Sequence, residues 1–269
     1  MARIARFFLK FPSPTYYHLI SHLQDELSYL NPSEKEYILR LLQKLTLIFA
    51  VRVVSYAFLG NHFHLLVKVE GKDSLSEAEA VERALLLYSP GVVYSRPGSY
   101  WQGKLSDISY FMKELNQRFS QYYNRLRGRR GHVFYDRFKS IVLDSSSALA
   151  VSLYIDLNGV RAGLSKKVSD YRWLSYTGRR AGKGEWLYPL EEAVGMDFNS
   201  YERLLLEVGR LEREGKGKVE EEEEPVALCA IRYRGEGLVY GSRIFVEGVV
   251  SRFAHRRRLK MEVGGLVLV

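Results

Sequence analysis

The chain has one cysteine, Cys229, in 269 residues. That excludes an internal disulfide and any cysteine-rich zinc site. No apolar run reaches the roughly 20 residues of a membrane span, so no membrane partner is expected. Met1 to Lys10 holds two arginines and a lysine but no long apolar core and no small-residue cleavage site. It reads as mature sequence, which points to a cytoplasmic, nucleoid-associated protein. Acids are in deficit, 31 against 40 Lys and Arg, for a net charge of +9 and a pI near 9.4. What the chain has in quantity is apolar and aromatic residues, 46% and 13%, the composition of a globular protein rather than a disordered one.

The basic residues are unevenly placed. Nine of them (Lys104, Lys113, Arg118, Arg125, Arg127, Arg129, Arg130, Arg137 and Lys139) face only Asp107, Glu114 and Asp136 between positions 104 and 139. This segment therefore carries a surplus of six charges out of the chain's nine. Such density suits a phosphate-binding groove. Tyr122, Tyr123, Phe134 and Tyr135 lie among the cations, placed to stack on unpaired bases or to fill the core. Tyr122 fits the apolar stripe of its helix; Tyr123 and Tyr135 are expected to be more open. The opposite extreme is the acidic block Glu220 to Glu224.

Apolar spacing sets out the elements. Tyr16 to Ser21 reads as a strand. Ser33 and Glu36 form a capping box in front of a helical pattern to Ala50. Val51 to Leu59 and His62 to Val69 are two strands joined by the tight-turn pair Gly60-Asn61, which implies antiparallel pairing. Ser74 to Tyr88 suits a helix, Ser89 to Gly103 a Gly/Pro/Ser-rich loop, and Leu105 to Leu126 a long helix with one apolar stripe. A strand over Phe138 to Leu143 and a helix over Ser146 to Asn158 follow. The order strand, helix, strand, strand, helix, strand, helix indicates an α+β sandwich with helices on a largely antiparallel sheet. Beyond it, residues 177–225 read as a helical and charged linker region, with a helix over Tyr201 to Leu211. Residues 226–269 read as a small basic C-terminal element. There Ser242 would cap a helix through Phe253, and Arg256 to Lys260 would be either a DNA grip or a soluble tail.

Two short stretches carry chemistry. Asn61-His62-Phe63-His64 places two imidazoles on one face of a strand, since residues i and i+2 share a face. They are either half of a divalent-metal site or polar residues on a solvated face. Tyr154-Ile155-Asp156-Leu157-Asn158 places Tyr154 and Asn158 four residues apart on one helical face. If that face looks at His62 and His64, the site has two imidazoles, an amide oxygen as third ligand and a phenol. Mg²⁺ or Mn²⁺ held there would favour attack by a phenolate on a phosphate.

Three motifs occur in order: Asn61-His62-Phe63-His64-Leu65-Leu66-Val67; Arg129-Arg130-Gly131-His132-Val133-Phe134 with Arg137-Phe138-Lys139-Ser140; and Tyr154-Ile155-Asp156-Leu157-Asn158 with Val160-Arg161-Ala162-Gly163. Together they resemble the single-tyrosine HUH transposases, and within these the REP-associated tyrosine transposases, over about Arg3 to Tyr176. That resemblance implies a transposase or endonuclease domain over 1–176 with a ferredoxin-like fold, residues 71–103 being a possible insertion. It implies His62, His64 and Asn158 as ligands of Mg²⁺ or Mn²⁺, and Tyr154 as the nucleophile that forms a 5′-phosphotyrosine and frees a 3′-OH. The implied partner is single-stranded DNA beside a bacterial REP-like hairpin, bound by a monomer or a homodimer. Two positions depart from the family pattern. Gly60 and Gly159 stand where relatives commonly have proline, and Gly159 is expected to loosen the exit of the catalytic helix. A hairpin-binding regulatory or architectural protein on the same fold is the alternative. A hydrolytic metallonuclease lacks the acidic ligands it needs.

Overall fold

The computed structural model describes residues 15–24, 29–213, 239–242, 245–249, 259–262 and 265–268. The expected acidic linker after 213, most of the run at Arg256 to Lys260, and positions 243–244 and 250–253 of the helix expected from Ser242 through Phe253 lie outside them. Among the described residues no helix is long and apolar enough to cross a membrane.

The first four strands are β1 (Thr15–His22), β2 (Val51–Phe58), β3 (His62–Val69) and β4 (Lys139–Leu143). They pair antiparallel in the order β2-β3-β1-β4. Helix α1 (Pro32–Ile48) connects β1 to β2. Helices α2 (Glu77–Leu85), α3 (Pro90–Tyr94), α4 (Gly98–Leu105) and α5 (Ile108–Leu126) connect β3 to β4. With α1 and α5 as the principal helices this is the β-α-β-β-α-β ferredoxin-like plan. The chain then adds α6 (Ala148–Arg161), α7 (Ser175–Arg180), α8 (Leu190–Val194) and α9 (Phe198–Arg213). Short strands β5 (Val239–Tyr240), β6 (Leu259–Glu262) and β7 (Gly265–Leu268) extend the same sheet in the order β4-β5-β7-β6, with β5 parallel to β4.

The helices divide between the two faces of the sheet. On one face lie Tyr17, Leu19, Ser21, Phe63, Leu65 and Val67, with α1 and α5 above them. Asn116 of α5 donates to Ser21, and Phe119 of α5 meets Phe134, which in turn meets Phe63. On the other face lie Tyr16, His18, Ile20, His62, His64 and Leu66, covered by α6 and by α8, whose Ala193 carbonyl accepts from Tyr16. The region after Tyr176, expected as a linker, joins this core over 177–213: Tyr201, Leu205 and Val208 of α9 are fully buried.

Several local expectations are corrected. Helix α1 starts earlier, because Asn31 rather than Ser33 is the N-cap; Asn31 and Glu34 form the reciprocal capping box, with Pro32 at the first helical position. Ser89 to Gly103 is not a loop but two short helices, each preceded or opened by a proline (Pro90, Pro97), so these prolines mark helix starts. On α5 it is Tyr123, not Tyr122, that enters the core; the buried stripe runs Ile108, Phe111, Met112, Leu115, Phe119, Tyr123. Tyr122 lies one step off that line and stacks in parallel on Tyr37 at 3.7 Å. Gly159 does not loosen its helix. Helix α6 runs on to Arg161, Leu164 N–H bonds the Gly159 carbonyl, and the missing side chain admits the Tyr171 ring, 2.8 Å from where a Cβ would stand.

Candidate active site

The histidine pair follows from the β2–β3 hairpin. Leu59 N–H bonds the His62 carbonyl at 2.9 Å across the Gly60-Asn61 turn, and this fixes the register that puts His62 and His64 on the α6 face. Their rings are 5.0 Å apart. Strand β1 adds two histidines that the sequence reading missed. Register places His22 opposite His62 and Ile20 opposite His64, so His18 and His22 share the pair's face. His22 stacks on His62 at 4.7 Å, and His18 stacks on His64 at 5.0 Å with a 2.8 Å hydrogen bond between His18 Nε2 and His64 Nδ1. The available signal was spacing: two histidines four residues apart in a strand also share a face.

Tyr154 reaches this cluster from α6. Its half-buried ring lies edge-on to His18 and to His64, 6.0 Å from each. The Arg161 guanidinium covers the ring at 4.6 Å, donates to the Tyr154 carbonyl, and pairs with Glu212 of α9. The other side of α6 is anchored by buried Asp156. Its carboxylate accepts from Ser175 Oγ, Tyr176 N–H and the Tyr201 hydroxyl.

Burial governs the protonation of the site. It lowers His18 to about 3, with Lys139 adding repulsion, and His62 to about 4, with His22 adding. His64 is pushed well below the ordinary imidazole value by burial first, then by His18, His62, His22 and Arg161. Neutral imidazoles are what metal ligation requires. His62 Nδ1 meets Asn61 Oδ1 at 2.8 Å, which leaves its Nε2 open. Asn158 is buried near the end of α6, and its Nδ2 has no hydrogen-bond partner. A cation would be met by Oδ1, and no hydrogen bond here sets which way that amide points. Among the described residues no three His, Cys, Asp or Glu side chains are arranged to hold a metal ion. Two neutral imidazoles 5.0 Å apart suit a divalent cation only if its remaining ligands are oxygens.

The basic segment is tied to the same end of the molecule. Tyr135 N–H bonds the His22 carbonyl, Gln24 N–H bonds the Val133 carbonyl, and Phe134 bridges to Leu23. Arg130 and Arg137 are exposed on either side of this junction in sequence, and exposed Lys139, opposite Ile20 in the sheet, shares the histidines' face. Arg125 sits in the last turn of α5, and Arg129 follows with its Nη1 buried and without a hydrogen-bond partner. The other cations are differently placed. Arg127 pairs with fully buried Glu34 at 2.7 Å and covers Tyr123; Arg118 pairs with Glu114 at 2.9 Å. Lys113 lies about 18 Å back along α5 from Arg125, at 1.5 Å per residue.

The structure is similar to that of a REP-associated tyrosine transposase bound to a REP hairpin. The two share 17% identity at a TM-score of 0.48, over 74% of this chain and 96% of the other. No family model and no curated protein matches the chain.

Proposed function

We propose that the chain is a metal-dependent single-stranded DNA endonuclease and strand transferase that cuts beside a hairpin, with Tyr154 as nucleophile. One observation carries this reading: the Tyr154 ring stands 6.0 Å from the rings of both His18 and His64, on the sheet face that holds the histidine pair. His62, His64 and Asn158 would hold Mg²⁺ or Mn²⁺, which when bound draws charge from the phosphorus and favours the phenolate. Tyr154 Oη attacks the phosphodiester, the P–O3′ bond breaks, the phenolic proton is lost, and the departing 3′ oxygen takes one up. The 5′-phosphotyrosine preserves the ester energy for strand transfer. Arg161, tied to Glu212 of α9, covers the Tyr154 ring and holds it in place, and Lys139, Arg130 and Arg137 supply positive charge where a strand would pass. On this reading the phenol and the imidazoles act within one chain.

The test is a labelled hairpin oligonucleotide with a single-stranded flank, incubated with Mg²⁺ or Mn²⁺ and run on a denaturing gel. Wild type is expected to form a covalent adduct, and Tyr154→Phe to bind the hairpin without one. His62→Ala and His64→Ala should match the effect of chelation. An adduct formed by Tyr154→Phe would assign attack to another tyrosine. DNA that is shifted but never cut, across many flank sequences, would favour the regulatory or architectural alternative.

A further inference from the structure

We propose that His18 is a positioning residue: its imidazole holds His64 in the tautomer that presents Nε2 to a cation. This rests on the metal reading above. His18 is fully buried on β1, and its Nε2 lies 2.8 Å from His64 Nδ1. The two rings are within 23° of parallel. Only one proton fits between those nitrogens. If His18 donates it, His64 must carry its own proton on Nε2 and has no lone pair left for a cation. If His64 donates it, His18 Nε2 is the acceptor and His64 Nε2 is bare.

His62 decides between them. Its Nδ1 faces Asn61 Oδ1 at 2.8 Å, an oxygen that only accepts, so Nδ1 carries the proton and Nε2 is bare. For the two members of the pair to present the same nitrogen, His64 must also be protonated at Nδ1, with His18 as acceptor. Asn61 and His18 then do the same work from opposite sides, each orienting one ligand through its second nitrogen.

The test uses the full chain, free of metal and labelled with ¹⁵N-histidine, and reads the tautomers from two-bond ¹H–¹⁵N correlations at neutral pH. The expectation is Nδ1–H for His64 in wild type and in His18→Gln, whose amide oxygen still accepts, and loss of that preference in His18→Phe. Titration with Mn²⁺, followed by the electron paramagnetic resonance of the free ion, should show affinity reduced about 10- to 100-fold in His18→Phe and largely kept in His18→Gln. An Nε2–H tautomer for His64 in wild type, or wild-type Mn²⁺ affinity in His18→Phe, overturns the proposal. Wild type with the Nδ1–H tautomer and no Mn²⁺ uptake upholds the hydrogen bond and overturns the metal reading instead. Should His18→Phe fail to fold, the wild-type tautomer and the glutamine variant still decide.

Discussion

Removing the Asp156 carboxylate is expected to unseat the helix that carries Tyr154. Asp156 is fully buried and accepts from Ser175 Oγ at 2.7 Å, Tyr176 N–H at 2.9 Å and the Tyr201 hydroxyl at 2.7 Å. These bonds tie α6 to α7 and α9. Asp156→Ala leaves three buried donors without an acceptor, each costing about 1–3 kcal/mol; with partial relaxation the loss should be about 3–5 kcal/mol. That is a large share of the roughly 5–15 kcal/mol that holds a domain together, and it corresponds to a Tm lower by about 6–20 °C. Asp156→Asn keeps one acceptor oxygen, and the Tyr201 hydroxyl can turn toward Ser152, 3.1 Å away; its cost should be about 1–2 kcal/mol. Urea denaturation followed by circular dichroism measures both. The pH profile provides a second signature. Burial raises the Asp156 pKa despite its three donors and nearby Arg179. The folded state therefore holds a proton that the unfolded chain has released above about pH 4. Stability falls as pH rises through that window, and the asparagine variant should lack this slope. Equal costs for Ala and Asn, or a cost for Ala under about 1 kcal/mol, would refute the anchoring argument.

Further outcomes follow from the same contacts. In EDTA, His18 and His62, lowered to about 3 and about 4, stay neutral while the unfolded chain binds protons below about pH 6.5. Their contribution is therefore complete above that pH and lost as pH falls toward 4, and a glutamine at either position should flatten the slope of urea midpoint against pH. Gly159→Ala drives a Cβ to within 2.8 Å of the Tyr171 ring, whose hydroxyl donates to the Phe58 carbonyl and accepts from Lys35. It should cost about 1–3 kcal/mol by thermal melting, and a neutral result would mean that Tyr171 moves freely. Arg130→Ala and Arg137→Ala should each reduce the salt dependence of hairpin affinity by about one unit in a log–log plot. Arg127→Ala should instead lower stability, because it strips the ion pair from buried Glu34; a salt slope changed equally by all three would contradict this division.

The sequence by itself determined most elements of the sheet and its principal helices. Period-2 and period-3.6 patterns located β2, β3, α1, α5 and α6 to within a few residues, and the i, i+2 rule put His62 and His64 on one face. The capping box slipped by two residues because Asn31 and Ser33 are both good caps with a glutamate three residues on, and only packing selects between them. Tyr122 and Tyr123 were misassigned because adjacent positions on a helix differ by 100°, and the line of the stripe is set by the partner surface. What only the tertiary structure decided is which face each element covers. Nothing local in α6 says that it lies on the face opposite α1 and α5, and it is this third layer that brings Tyr154 to the histidines. His18 and His22 joined them for the same reason. Strand register is a pairing between residues 40 to 54 positions apart, set by the burial of both faces rather than by any neighbouring residue.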